Sequence, residues 1–325
     1  MFIHPSIILF FCFLLFSIVL TISSNSWLFA WMGLEMNLLS FIPIMLKKLN
    51  KYSTEVAIKY FLIQAISSIF LLFFFLFLKS YLIITLMLAL MLKMGAAPFH
   101  QWLPSISDGL SWPALYVLLI FQKVNPLILT SFLMKSQINL FSIQVFIVSS
   151  ALIGSMGGLT HTSLRKILVF SSIAHLSWIL SSFLISNWAW LNYFIIYALI
   201  LFSLIYTMHK MEIFSINDLI LKNKLFISML TTTSIMSMGG LPPLSGFVPK
   251  FIVMQALFLN DLQFIMLFLL TSTFISLFFY SRMFLSVLLL KNSLNSQSTS
   301  RTYNMSVISL NLSALFFPSL FLIFM

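Results

Sequence analysis

Apolar residues run through this chain in stretches of about 20, the length that an α-helix needs to cross the hydrocarbon core of a bilayer. The pattern predicts eleven membrane spans, at residues 4–22, 25–46, 56–78, 81–103, 110–133, 139–159, 165–185, 189–208, 225–258, 262–286 and 305–324. Strand-type alternation of apolar and polar positions is absent, which argues against a transmembrane barrel. We therefore predict an all-α polytopic membrane protein with about 11 transmembrane helices.

Two of the predicted spans contain helix-breaking residues. The fourth is interrupted at Lys93–Pro98, and the ninth, too long for one plain span, is interrupted at Leu241–Lys250. They lie five spans apart, an offset that inverts their orientation in the membrane, and paired broken helices of this kind are typical of ion sites in transporters. The pattern predicts two inverted five-helix units, 1–135 and 136–290, followed by a C-terminal helix, 291–325.

The basic residues of the connecting loops are distributed unequally between the two sides of the membrane. One side receives only Lys79 and Lys135. The other receives ten basic residues: Lys47, Lys48, Lys51, Arg165, Lys166, Lys210, Lys222, Lys224, Lys291 and Arg301. The positive-inside rule then places the N-terminus on the cytoplasm-like or matrix-like side, and an odd number of spans places the C-terminus opposite.

Composition supports this class of protein and excludes several functions. Of 325 residues, 61% are hydrophobic and 7% are charged, whereas soluble domains carry about a quarter charged residues. The net charge of +11 is scattered over short loops without a contiguous basic patch, which favours anionic phospholipids such as cardiolipin as partners and excludes nucleic acid. One cysteine, Cys12, and no phosphate-binding glycine loop predict no metal centre and no cofactor on this chain.

Four ionisable side chains lie near the middle of predicted spans, where a charge costs at least about 2.5 kcal/mol. They are Glu35, Lys93, Lys123 and Lys250, and His175 in the seventh span could extend the set. Burial disfavours the charged form of a lysine, whereas a nearby carboxylate favours it, so buried lysines can load and release protons. The pattern predicts a proton path through these residues.

Purely structural interpretations of the same residues remain open. Lys93 and Lys250 flank the interruptions and could merely satisfy carbonyl groups that the broken helices leave free. Glu35 and a lysine could form a static ion pair that locks two helices. His175 is equally well explained as a packed, hydrogen-bonded histidine, and Glu55 with Lys59 is best read as an ordinary i,i+4 helix pair.

Five sequence motifs resemble those of the antiporter-like membrane subunits of respiratory complex I. They cover the chain from about residue 30 to residue 250 in family order. The motifs are Trp31–Pro43, Ser53–Ala65, Leu92–Pro104, Leu164–His175 and Gly239–Lys250. Eleven spans resemble the shortened, mitochondrially encoded animal form, and the Phe- and Met-rich composition resembles that of arthropod members. Residues beyond about 290 match no family motif.

The resemblance implies a function and a set of site residues. Family members contain two inverted five-helix units with broken helices, and Glu35, Lys93, Lys123 and Lys250 match the family residues taken to form a proton path. It implies a subunit of the proton-translocating NADH:ubiquinone reductase in the mitochondrial inner membrane, with its N-terminus in the matrix. Its partners would be other membrane subunits, including neighbouring antiporter-like ones, and these other subunits would carry NADH, FMN, iron–sulfur clusters and ubiquinone. The rival functions are a free-standing cation/proton antiporter and a purely structural subunit.

Overall fold

The computed structural model describes residues 5–46, 51–77, 83–134, 137–221, 225–242 and 244–293. Within these ranges the chain forms only helices, apart from an isolated bridge between Ser163 and Ser215. The helices are α1 Pro5–Ser23, α2 Trp27–Met45, α3 Lys51–Phe77, α4 Ile83–Met94, α5 Trp102–Ser107, α6 Trp112–Leu119, α7 Phe121–Leu133, α8 Gln137–Thr160, α9 Leu164–Phe183, α10 Asn187–Met211, α11 Ile216–Leu221, α12 Leu225–Gly239, α13 Phe247–Leu259 and α14 Gln263–Ser293. The predicted all-α class is confirmed for the described residues.

Eight helical segments of the described chain are long and apolar enough to cross a membrane, with α6 and α7 counted together. Two shorter apolar helices, α4 and α13, accompany them. These segments overlap the first ten predicted spans. The eleventh, 305–324, lies outside the described residues, so the number of eleven stays a prediction.

The chain divides into two compact units, residues 1–146 and 147–325. In the first unit, α2, α3, α4 and α7 share an apolar core. Its buried members are Ala30, Leu34, Leu71, Phe74, Leu86, Ala89, Leu90 and Leu129. Helices α1 and α2 approach each other closely at Gly33, where an added Cβ would lie 2.5 Å from Cγ2 of Thr21. The predicted boundary at residue 136 and the inverted relation of the units stay predictions.

Both predicted interruptions are present. Helix α4 ends at Met94, directly before Gly95, whose φ of 70° is a left-handed conformation that glycine adopts without strain. Helix α12 ends at Gly239, before Gly240 with φ of 84°, and α13 begins at Phe247. Glycines in left-handed conformations are a common way to end a helix. Lys93 lies in the last turn before the first interruption, and Lys250 lies near the start of the helix that follows the second.

A third interruption was not predicted. The sequence indicated one continuous fifth span over 110–133, but the helix breaks at Ile120, which separates α6 from α7. Ile120 has φ of −112° and ψ of −69°, and the amide of Lys123 donates to the Ile120 carbonyl at 3.0 Å, which closes a tight three-residue turn. Hydropathy does not indicate this break, because residues 112–133 taken together are apolar enough to read as one span, although Gln122, Lys123 and Asn125 lie shortly after Ile120.

Helix α9 is the most enclosed element of the second unit. In its most apolar stretch 89% of the residues are buried, although the helix is rich in serine. The hydroxyl groups donate to carbonyls one turn earlier, as Ser171 does to Leu168 and Ser182 does to Ile179. Because the serine hydroxyl groups donate their hydrogen bonds within the helix, α9 can be buried on nearly all sides.

Gly154 of α8 sets the spacing between α8 and α9. An added Cβ would lie 2.5 Å from the Ala174 backbone nitrogen, and a backbone atom cannot rotate away. We expect Gly154→Ala to lower the stability of the folded chain by about 1–3 kcal/mol through overpacking. Met156→Ala is the control, because Met156 lies on the same helix with a 54% exposed side chain.

The measurement is the thermal midpoint of the detergent-solubilised protein. Equal midpoints for the two variants would contradict the close helix approach at Gly154.

Candidate functional site

Glu35 and Lys93 meet in the first unit. Glu35 projects from α2 and Lys93 from the last turn of α4, and Lys93 Nζ lies 3.9 Å from Glu35 Oε1. The lysine side chain is 4% exposed and that of the glutamate is 25% exposed. Charge-assisted hydrogen bonds measure about 2.7–2.9 Å. The two groups therefore attract each other electrostatically without the contact of a locked pair.

The Glu35 oxygen that faces Lys93 is buried and accepts no hydrogen bond among the described residues. An unsatisfied carboxylate oxygen in an apolar interior is costly, so the oxygen favours closer approach of a cation or entry of water. Lys93 itself lies at the C-terminal end of α4, where the helix dipole favours a positive charge. The arrangement suits a charge pair whose separation can change.

Lys123 lies at the start of α7, immediately after the interruption at Ile120. Its side chain is buried, and so are those of its neighbours Gln122 and Asn125. Asn125 is anchored to α1, because its Oδ1 accepts from Thr21 Oγ1 at 3.2 Å. Helix α6 ends directly before α7, so the opposed dipoles of the two helix ends largely cancel at Lys123. Lys93 and Lys123 therefore differ in the helix-end fields that act on them.

Lys250 lies in the first turns of α13 and reaches back to the end of α12. Its Nζ donates to the carbonyl oxygens of Met238 at 3.0 Å and Gly239 at 2.7 Å. These carbonyls belong to a helix end that has no further turn to satisfy them. The contact is the one that the structural interpretation of Lys250 predicts, and it also holds the ammonium group at a fixed position.

His175 and Lys250 line the same small cavity of the second unit, whose volume of about 10 Å³ has room for about one water molecule. Its polar lining consists mainly of hydroxyl groups: Ser171, Ser272, Thr273, Ser276 and Tyr280. His175 Nδ1 lies 2.9 Å from the Tyr193 hydroxyl, and its ring lies 4.8 Å from that of Tyr197. The cavity brings His175 and Lys250 together among hydroxyl groups that can donate and accept hydrogen bonds.

The structure thus brings the predicted residues together in two groups. Glu35, Lys93 and Lys123 lie in the first unit, with Glu35 and Lys93 separated by 3.9 Å, whereas His175 and Lys250 share a cavity in the second. The roles of all five stay predictions. Glu55 and Lys59 form the expected i,i+4 pair on an exposed helix face. Over the residues that the structure describes, no group of histidine, cysteine, aspartate or glutamate could hold a metal ion.

Sequence reasoning missed a set of buried uncharged residues around the lysines. Tyr60 Oη donates to Gln122 Oε1 at 2.8 Å, and Gln122 Nε2 donates to Asn37 Oδ1 at 3.1 Å. Amide side chains inside apolar spans were the available signal, since each needs a partner within the protein. Charge alone does not reveal these residues, because they are uncharged.

The fold and the buried lysines define the class of protein. The family model described as "NADH:quinone oxidoreductase/Mrp antiporter, TM" matches residues 24–81 and 77–276. A chain of respiratory complex I from Thermus thermophilus superposes with a TM-score of 0.83 at 18% identity, covering 96% of this chain and 76% of that one. A chain of the Mrp complex from Dietzia sp. has a TM-score of 0.74 at 16% identity, covering 83% and 58%. The class is that of antiporter-like membrane proteins.

Curated relatives narrow the class. NADH-ubiquinone oxidoreductase chain 2 of Locusta migratoria is 38% identical over 93% of this chain and 91% of its own length. The corresponding chain of Anopheles gambiae is 39% identical over 92% and 91%. The chain belongs to the NADH-ubiquinone oxidoreductase chain 2 family, which confirms the resemblance seen in its motifs.

Gly240 shapes the Lys250 contact and provides a test of it. An added Cβ at Gly240 would lie 2.8 Å from Lys250 Cδ and 3.2 Å from Nζ, at a φ of 84° that side chains other than glycine resist. We expect Gly240→Ala to destabilise the chain by about 1–2 kcal/mol, from the left-handed conformation alone, and to displace Lys250. Gly239→Ala is the comparison, because it adds the same methyl group within helix α12, where its Cβ would lie 2.6 Å from Leu277 Cδ2 and 3.1 Å from the Tyr280 ring and would meet no atom of Lys250 within 3.6 Å.

Thermal stability and coupled turnover of the assembled enzyme are the readouts. If Gly240→Ala behaves like Gly239→Ala in both, the proposed constraint on Lys250 is wrong.

Proposed function

We infer that this chain is a membrane-arm subunit of the proton-pumping NADH:ubiquinone oxidoreductase. The observation that carries the inference is that Lys93, Lys123 and Lys250 are each buried beside a helix interruption. Interrupted helices are where membrane proteins place ion sites, because the helix ends provide dipoles and free carbonyl groups. Family membership provides the reaction to which these sites belong.

The proposed chemistry on this chain is proton transfer. Protons would move by coupled protonation of Lys93, Lys123 and Lys250, with Glu35 changing the charge preference of Lys93 through its distance. At 3.9 Å the Glu35–Lys93 pair sits where a small movement changes the interaction strongly, because the Coulomb energy in an apolar interior varies steeply with separation. His175 would extend the path from Lys250, since both line one hydroxyl-rich cavity.

The redox steps of the enzyme belong to other subunits in this proposal. NADH, FMN, iron–sulfur clusters and ubiquinone would be bound there, and this chain would hold no cofactor. Its protein partners would be other complex I membrane subunits, including neighbouring antiporter-like ones, and its lipid partners would include anionic phospholipids such as cardiolipin. The chain would contact no nucleic acid.

The proposed setting is the mitochondrial inner membrane, with the N-terminus in the matrix and eleven spans. Two inverted five-helix units would contain the fourth and ninth spans at equivalent positions. The ends of α4 and α12, each followed by a glycine with positive φ, support this equivalence. The ten-to-two distribution of basic loop residues supports the orientation.

Two rival functions make different predictions. A free-standing cation/proton antiporter would be active without partner subunits. This chain spans 91% of its insect relatives but only 58% of the Mrp chain, which favours the complex I subunit.

In a purely structural role, lysine substitutions would reduce assembly and leave the pumping of each assembled complex intact. The bonds from Lys250 to two helix-end carbonyls are the observation that favours the structural role.

Lys123→Met tests the proposed function, because methionine keeps the length and apolar stem of lysine and removes the titratable group. We expect coupled NADH:ubiquinone turnover per assembled complex to fall by about a hundredfold, the contribution typical of a proton-transferring side chain. Proton uptake by reconstituted vesicles and NADH oxidation are measured together. Lys59→Met is the matched control, because Lys59 is exposed and pairs only with its helix neighbour Glu55.

Full pumping by assembled Lys123→Met complexes would falsify the relay role. Reduced assembly with normal pumping per complex would favour the structural role instead.

A further inference from the structure

Two helix interruptions of the first unit lie next to a shared aromatic side chain. One interruption separates α4 from α5, directly after Lys93, and the other separates α6 from α7, directly before Lys123. Tyr60 of α3 is 1% exposed and contacts residues of both. It carries no charge and belongs to none of the proton-transfer positions above.

The ring of Tyr60 packs against the first interruption. Its centroid lies 6.1 Å from that of Trp102, the first residue of α5. Trp102 Nε1 in turn donates to the Leu92 carbonyl at 3.2 Å, one residue before Lys93. The other side of the Tyr60 ring meets Phe41 of α2 edge-on, at 5.3 Å between centroids. The ring therefore connects α2 with the end of α4.

The hydroxyl of Tyr60 binds to the second interruption. It donates to Gln122 Oε1 at 2.8 Å, and Gln122 precedes Lys123 at the start of α7. Gln122 Nε2 continues to Asn37 Oδ1 at 3.1 Å, and Asn37 lies two residues after Glu35 in α2. Gln122 is 8% exposed and Asn37 is 2% exposed. Neither side chain has bulk water available as a substitute partner.

We propose that Tyr60 and Gln122 are positioning residues that couple the helix interruption beside Lys93 to the interruption beside Lys123. We call the hydrogen-bonded set Tyr60–Gln122–Asn37 the positioning bridge. It fixes where α7 begins relative to α2 and α4, and thereby the separation of the two lysines. The inference rests on the proposed function, because the separation matters only if protons pass between these lysines.

The bridge also links Glu35 to Lys123. Asn37 follows Glu35 by two residues in α2, and Gln122 is adjacent to Lys123 in the chain. A movement of α2 that carries Glu35 therefore also moves the acceptor of the bond from Gln122. In an apolar interior a broken hydrogen bond leaves its groups unsatisfied, so the bridged helices move together.

Tyr60→Phe is the primary test, because it removes one oxygen atom and keeps the ring that packs on Phe41 and Trp102. In the assembled complex we expect a threefold to tenfold fall in coupled turnover per complex, a range of about the size expected for residues that couple two sites. The amount of assembled complex should change little. The ratio of protons pumped to NADH oxidised is measured in reconstituted vesicles.

Gln122→Met removes this hydrogen bond from the other side and also removes the one to Asn37. Because the bond that Tyr60→Phe breaks is already absent in Gln122→Met, the double variant Tyr60→Phe/Gln122→Met should resemble Gln122→Met alone. Thr130→Val is the control on the same helix. Its buried hydroxyl donates only within α7, to the Leu127 carbonyl at 2.8 Å, so combining it with Tyr60→Phe should give additive effects.

The result that would overturn the bridge is normal coupled turnover in Tyr60→Phe, or fully additive effects of Tyr60→Phe and Gln122→Met, while Lys123→Met remains impaired. Normal pumping by Lys123→Met would overturn the proposed function itself. The two failures are therefore distinguishable in the same set of variants.

Discussion

The structure depends on one constraint, which is that polar groups inside a bilayer must find partners within the protein. Each interruption of a helix frees carbonyl and amide groups in a region where water is scarce. Lys250 answers this constraint directly, because its ammonium group donates to two carbonyl oxygens at the end of α12. The same group then lies beside a cavity that it shares with His175. The bonds to the backbone thereby also place the Lys250 ammonium group at the wall of this cavity.

The first unit meets the constraint in a different way. Glu35 and Lys93 compensate each other at 3.9 Å, and buried amide and hydroxyl groups hold the start of α7. The helix end at Lys93 favours a positive charge, whereas the adjoining ends of α6 and α7 largely cancel at Lys123. In the proposed function this difference would bias where a proton resides. Structural and functional interpretations of these lysines are therefore not exclusive.

Much of this architecture could be predicted from the sequence because hydropathy and helix breakers act locally. The apolar runs predict the helices, and Gly95 and Gly240 mark two interruptions through their conformational freedom. The break at Ile120 could not be predicted, because no glycine lies there and residues 112–133 together read as one apolar span. Charge identified Glu35 and the three lysines, since a buried charge is rare and expensive. The positioning bridge could not be predicted, because its members are uncharged and become partners only when three helices pack together.

We propose that Glu35 and Lys93 change their separation during turnover. The direct measurement is the distance between Glu35 and Lys93 in the assembled, membrane-embedded enzyme, determined by high-resolution electron cryomicroscopy in resting and turning-over states. We expect the 3.9 Å separation to shorten in one state and to lengthen in the other, with ordered water reaching Lys123 in at least one of them. An unchanged separation in both states, with no water beside Lys123, would contradict it.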